Sequence, residues 1–196
     1  MWLNESLRGT EVVLASASPR RRELLAKLTG DFTVDVSAVE EVLPEGLALT
    51  DGPEYLARIK CAAVAERHPD ALVIGSDTGV FIGGKMLGKP HSRGEGFAML
   101  KDLSGRSHSV ITGVCLRMGD RVRSFSEETR VRFFPLTDAQ IAAYLDTGEY
   151  CDKAGAYGIQ GEGALLVEGI DGCYYNVMGF PVSRLAREID EFLKEC

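Results

Sequence analysis

The stretch "EVVLASASPRRRELLAKLTG", residues 11–30, decides the fold class. Its first five residues are a short apolar run before a turn signal, which predicts a buried strand. Ser18 and Pro19 then open a helix as N-cap and first helical residue, and Gly30 is placed to end it. A strand feeding directly into a helix is the unit from which α/β proteins are built. The same stretch poses a chemical problem. Arg20, Arg21 and Arg22 stand where a helix already carries partial positive charge and unpaired N–H groups. Two readings follow: a solvated basic turn, or an anion site in which arginine forks and helix N–H groups receive a polyphosphate. If the arginines serve a polyphosphate, removing Arg21 is expected to weaken its binding while leaving the fold as stable or slightly more stable, because a cation leaves a helix N-terminus; a solvated turn predicts no change in binding.

The pattern continues in both directions from this unit. A second strand is expected over 31–39, a loop over 44–53, and a helix over 53–69 stopped by Pro69. Residues 71–90 read as a buried strand, a polar interruption at "SDT" (76–78), and a hairpin turning at Gly83 and Gly84. Residues 92–103 suit a helix, and 107–135 two long strands joined at Gly119–Asp120. Thr137 caps a helix to Asp146. Beyond the glycine-rich "AGAYGIQGEG" (154–163), strands are expected in "ALLVEGI" (164–170) and "YYNVMG" (174–179), and a closing helix over 181–195. Alternating strands and helices with intruding hairpins give an α/β protein with a mixed sheet. No repeat, low-complexity tract or linker is visible, so a single domain over 1–196 is expected, with 1–10 as a short N-terminal extension.

Bulk properties narrow the function. The chain has 196 residues, 45% of them hydrophobic and 26% charged, with a formal net charge of −7. That balance argues against a nucleic-acid partner, so any anion site must be local. Cys61, Cys115, Cys151, Cys173 and Cys196 are widely spaced with no C-x-x-C pair, which fits a reducing cytoplasm better than a disulfide framework. "MWLNESLRGT" (1–10) lacks the apolar run of a signal peptide, and no stretch of about 18 apolar residues exists, so neither secretion nor a membrane partner is expected.

Several motifs fail on chemistry. "GVFIGGKM" (79–86) approaches a P-loop but has Met86 where a hydroxyl must reach magnesium. "GEGALL" (161–166) lacks the third glycine of a dinucleotide fingerprint, and "GRSHS" (105–109) lacks the last glycine of a nucleophile elbow. His68, His91 and His108 have no metal-ligand spacing and are expected on the surface or in loops. Carboxylates and cations remain. Asp77 follows a buried run, at the carboxyl end of a strand where open α/β sheets place ligands; the other reading is a turn aspartate capping its own backbone. Glu40 and Glu41 follow the second strand, Lys60 lies on a helix edge, and Lys89 leaves the hairpin.

"LASASPRRRELL", "SAVEE", "ARIKCAA", "IGSDT", "LGKP", "LSGRSHSVITGV", "DKAGAYGIQG" and "YYNVMGFP" together resemble the Maf family of nucleoside triphosphate pyrophosphatases, once described as septum-formation inhibitors. The likeness runs from about Glu11 to Phe192, with eight motifs in the family's order. It implies a twisted mixed sheet flanked by helices, two lobes with a central cleft, kinship with the inosine triphosphate pyrophosphatases, and a homodimer. It also implies residue roles. Ser16, Arg20 and Arg21 match the phosphate-binding S-x-x-x-R-R element; Glu41, Lys60, Asp77 and Lys89 match catalytic positions; Arg20, Thr78 and Gln160 match positions tied to base choice. The family's strand usually reads "ADT" plus an aliphatic residue, where this chain has "SDT" and Gly79.

The reaction implied is metal-assisted hydrolysis between the α and β phosphates, with Asp77 and Glu41 holding magnesium or manganese and Asp77 also the candidate general base. "DKAGAYGIQG" resembles the pyrimidine-directed branch, so dTTP, UTP or modified pyrimidine nucleotides are the expected substrates. The Gln160 amide can pair with the alternating acceptor and donor edge of thymine or uracil. Rival readings are a kinase or phosphatase using the same anion site, and a nucleotide-binding regulator of division without turnover.

Overall fold

A computed structural model describes residues 2–195. It is a mixed α/β structure with hydrogen-bonded strand order β2-β1-β3-β5-β6-β7, β4 pairing with β3. The chain divides into two compact units: one comprises the residues up to Asp77, Thr112–Glu127 and those from Gly179 onward, and the other Thr78–Ile111 and Glu128–Met178.

In the first unit, β1 (Val12–Ala15) is buried along its whole length, as its apolar sequence demands. It pairs in parallel with β2 (Thr33–Val34) on one side and with β3 (Leu72–Ile82) on the other, Ala15 opposite Gly75. The strand expected over 31–39 shrinks to two residues. After the Asp35 N–H donates to Leu14 O at 3.2 Å, β1 has turned away toward its helix and offers nothing more to pair with. Asp35 is instead held by Arg67 Nε and His68 Nε2, each at 2.9 Å.

Helix α2 (Pro19–Leu25) begins as expected, with Ser18 as N-cap accepting from the Arg21 N–H, and ends sooner than Gly30. Helix α3 (Gly52–Ala65) turns Leu56, Ala57, Cys61 and Val64 inward. Ala57, Cys61 and Val64 pack with Val13, Ala15, Val73 and Cys115 in one apolar cluster. A Cβ on Gly75 would lie 2.4 Å from the Ala57 carbonyl oxygen, so glycine sets how closely α3 approaches β3. The N-terminal extension is ordered: α1 (Trp2–Ser6) buries Leu3, and Leu7 follows it into the interior. The Ser6 hydroxyl donates to Asp190 at 2.6 Å on the last helix, α7 (Val182–Lys194). Leu185, Ala186, Ile189 and Phe192 of α7 are buried at helical spacing.

In the second unit, β3 and β4 (Lys85–Leu87) form the expected hairpin, with Gly83 and Gly84 at φ 57° and 75° as a tight turn requires. Helix α4 (Arg93–Leu103) packs on α5 (Asp138–Asp146), which opens with a capping box between Thr137 and Gln140. Strands β5 (Ser107–Met118) and β6 (Arg121–Phe133) are neighbours, and β7 (Val167–Asp171) pairs antiparallel with β6. Val80, Leu100, Val110, Val131, Phe133, Ile141 and Tyr144 belong to this unit's core.

Three further expectations need correction. The polar "SDT" does not interrupt β3, which runs unbroken from Leu72 to Ile82 with Asp77 in its interior. "YYNV" is a helical turn, α6 (Tyr174–Val177), not a strand. In a strand, residues 174 and 176 would share a face, whereas Tyr174 is exposed and Asn176 is fully buried, its Nδ2 donating to Val110 O and Thr129 Oγ1 at 3.0 Å each. His108 is neither superficial nor in a loop. It lies in β5, buried, with Nε2 2.7 Å from the Tyr157 hydroxyl and its ring edge-on to Phe133 and Tyr157.

Candidate active site

The first unit holds six of the expected residues: Ser16, Arg20, Arg21, Glu41, Lys60 and Asp77. Side chains alternate along β3, so Val73, Gly75 and Asp77 share the face that α3 covers. The close approach permitted at Gly75 sets the Ala57–Cys61 turn of α3 against the strand, and Lys60, on that turn, reaches Asp77. The Lys60 ammonium donates to Asp77 Oδ1 at 2.7 Å and lies 2.9 Å from Glu41 Oε1. Lys60 and Asp77 are largely shielded, their side chains 12% and 17% exposed, while Glu41 is 55% exposed on the irregular segment after β2. Asp77 lies two residues beyond the last position paired with β1, so the end of the parallel ladder, not the end of β3, marks the site.

Arg21 occupies the inward side of α2, three and four residues before the buried Leu24 and Leu25. Its Nε donates to Gly179 O at 3.0 Å, and its Nη1 donates to Ser76 O at 2.8 Å and to Ser16 Oγ at 3.2 Å. Ser16, itself nearly buried just after β1, also accepts from the Ser18 N–H at 3.3 Å. Burial lowers the Arg21 pKa, Asp77 and Glu41 act against that shift, and Arg20 adds repulsion. Guanidinium remains charged at any ordinary pH. The basic turn is therefore not simply solvated. Arg21 ties the start of α2 to the backbone beside Asp77, so these contacts predict that its loss weakens the fold, against the sequence-based expectation.

Lys60 and Arg21 act on the same two carboxylates, Asp77 and Glu41, and Arg20 adds a further positive charge next to Arg21. No three His, Cys, Asp or Glu groups cluster as a metal site among the described residues. Asp77 and Glu41 converge on one ammonium, however, and two carboxylates completed by substrate phosphates and water are an ordinary magnesium arrangement. The donor set fits a hard divalent cation. A surface groove lined by residues 7–12 and 29–33 contains none of these groups.

Thr78, Lys89 and Gln160 fall in the second unit. Thr78 follows Asp77 on β3 and is half-buried. Lys89 is exposed just after β4, beside Gly88, whose carbonyl accepts from the Gly155 N–H at 3.0 Å. That bond fastens the Lys89 loop to the glycine-rich segment, where Gly155 at φ 70° packs on Val80. Gln160 is exposed and begins a short 3-10 helix, Gly161–Leu166. The segment is held further by Tyr144, whose hydroxyl accepts from the Gly158 N–H at 3.2 Å, and by the Tyr157–His108 contact. Nothing in the sequence marked His108, Tyr144 or the carbonyls of Ser76 and Gly179 as supports. The spacing of Arg21 to Leu24 and Leu25 was the one available signal that Arg21 turns inward.

The chain is 49% identical over 181 residues to the dTTP/UTP pyrophosphatase of Bacillus velezensis, covering 92% of this chain and 96% of that one. It is 48% identical over 188 residues to the dTTP/UTP pyrophosphatase of Carboxydothermus hydrogenoformans, covering 93% and 98%. Among solved structures it is similar to the Staphylococcus aureus Ham1 protein, with a TM-score of 0.45 and 16% identity over 63% of this chain and 72% of that one. Residues 11–192 match the family described as Maf-like protein. With nearly the whole chain matched, it belongs to the Maf-like family.

Proposed function

We infer that this protein is a nucleoside triphosphate pyrophosphatase that hydrolyses dTTP and UTP to the monophosphate and pyrophosphate. The observation that carries this reading is the Lys60 ammonium joined to both Asp77 and Glu41, within the electrostatic reach of Arg21. Relatives at 49% and 48% identity bearing that activity in their names support it.

The proposed roles follow from the charges. Arg20, Arg21, Lys60 and Lys89 neutralise phosphate oxygens, and Ser16 holds the Arg21 fork in place for this task. Asp77 accepts the proton of the attacking water as general base. Its link to Lys60 orients the carboxylate, and Glu41 holds the same ammonium from a second side. Asp77 and Glu41 would hold magnesium or manganese, which when bound stabilises the charge that develops on the phosphate oxygens. Thr78 and Gln160 read the base, with Arg20 contributing to base choice.

Residues 1–196 are proposed as a single Maf-like domain, which the family match over residues 11–192 supports. No helix among the described residues is long and apolar enough to cross a membrane. Free Cys61, Cys115, Cys151 and Cys173 support a cytoplasmic location, and a homodimer is proposed from the family resemblance. Sedimentation tests the homodimer, which a single monomeric species would exclude. A panel of canonical and modified nucleoside triphosphates with magnesium, its products resolved by chromatography, tests the reaction. The expected result is dTMP and UMP with pyrophosphate, formed faster than any purine product. Release of inorganic phosphate and a diphosphate, or tight binding without turnover, would refute it.

A further inference from the structure

Gln160 stands at the N-cap of the 3-10 helix Gly161–Leu166, the position whose side chain ordinarily accepts from the N–H groups two and three residues on. It makes no such bond. Those N–H groups, of Glu162 and Gly163, donate instead to Glu149, to Oε1 at 3.1 Å and Oε2 at 3.3 Å. The Glu149 backbone is itself held. The Glu149 N–H donates to Thr147 Oγ1 at 3.2 Å, and the Glu149 carbonyl accepts from the Lys153 ammonium. Gly161, at φ 59°, completes the fit, since a Cβ there would lie 2.4 Å from Glu149 Oε1.

We propose that Glu149 is a positioning residue for substrate choice: it caps this turn in place of Gln160 and so leaves the Gln160 amide available to the base. The proposal rests on the reading of Gln160 as a base reader. A negative carboxylate over a helix start is also favoured by the local dipole, which a neutral glutamine could not match. Without Glu149, the Glu162 and Gly163 N–H groups are left for the Gln160 side chain to satisfy, and it folds back onto its own turn.

The test compares the ratio of kcat/KM for dTTP to that for dATP in wild type, Glu149→Ala, Glu149→Gln, Gln160→Ala and the Glu149→Ala/Gln160→Ala pair. Amide exchange at Glu162 and Gly163 is measured alongside. Glu149→Ala should lower the ratio by about 5- to 30-fold, the factor equivalent to losing one good cap. The change should fall mainly in KM for dTTP, and the two amides should exchange faster. Glu149→Gln should recover part of the ratio, and the double variant should prefer dTTP no less than Gln160→Ala alone. An equal fall in activity on both nucleotides, or an unchanged ratio, would overturn the proposal. Retained preference in Gln160→Ala would instead sink the base-reading assignment itself, and the proposal with it. Lost preference in Gln160→Ala but not in Glu149→Ala would reject the capping role alone. Should Glu149→Ala fail to fold, Glu149→Gln decides through the same ratio and the same two amides.

Discussion

Replacing Arg21 by alanine separates two physical accounts of the arginine turn by the sign of one number. A cation at a helix N-terminus costs about 0.3–1 kcal/mol, so a solvated Arg21 would be missed by nothing and its loss would stabilise the fold slightly. In the structure, one guanidinium donates to Gly179 O, Ser76 O and Ser16 Oγ at 3.0, 2.8 and 3.2 Å. A hydrogen bond from a charged donor contributes about 1.5–3 kcal/mol net, and the acceptors left behind lose their partner in a shielded place. Three bonds from one side chain do not add in full, and removing a partly buried charge near Arg20 gives some of the loss back. The balance is a destabilisation of about 2–4 kcal/mol, or roughly 5–15 °C in Tm for a chain of this size. Urea unfolding of wild type, Arg21→Ala and Arg21→Lys measures it. Lysine keeps the charge without the fork and should recover less than half of the loss. An alanine variant as stable as wild type would refute the clamp and return the turn to solvent.

Acidification should destabilise the second unit through His108. Burial lowers its pKa from 6.5 to about 4, so between those values the unfolded chain binds the proton and the folded one does not. Its contribution is complete above pH 6.5 and falls away as pH drops toward 4, by about 3 kcal/mol at most; unfolding curves of wild type and His108→Gln should converge in pH dependence outside that window and differ within it. Gly75→Ala should lower stability by about 1–3 kcal/mol or more, because its Cβ meets the Ala57 carbonyl oxygen at 2.4 Å and Cys61 Cβ at 2.7 Å; a melting temperature equal to wild type would show that α3 can retreat without cost.

What could be read from the chain divides along physical lines. Local signals carried the βα unit at 11–25, the β3–β4 turn at Gly83 and Gly84, the Thr137 cap and the amphipathic closing helix, because each is set by residues within a few positions of one another. Non-local pairing defeated the rest. Polar "SDT" looked like an interruption, yet Asp77 is compensated by Lys60, seventeen residues away, so β3 continues through it. "YYNV" looked extended, and the buried Asn176 bonds to β5 and β6 made it a helical turn. His108 looked superficial for want of a visible partner, which the Tyr157 hydroxyl supplies from forty-nine residues on. Asp77, Lys60 and Glu41 could be named as candidates from residue type and resemblance, but their convergence on one ammonium is visible only in three dimensions.

The account stands or falls on Asp77 as a chemical participant and not a packing residue. The decisive measurement is the turnover of Asp77→Asn on dTTP, with nucleotide affinity determined on the same preparation. Asparagine keeps the shape and can still meet the Lys60 ammonium through its carbonyl oxygen, while charge and basicity are gone. Turnover should fall by at least about 100-fold with dTTP affinity little changed. Turnover within a few-fold of wild type would remove Asp77 from the mechanism and leave the Lys60 bridge a purely structural contact.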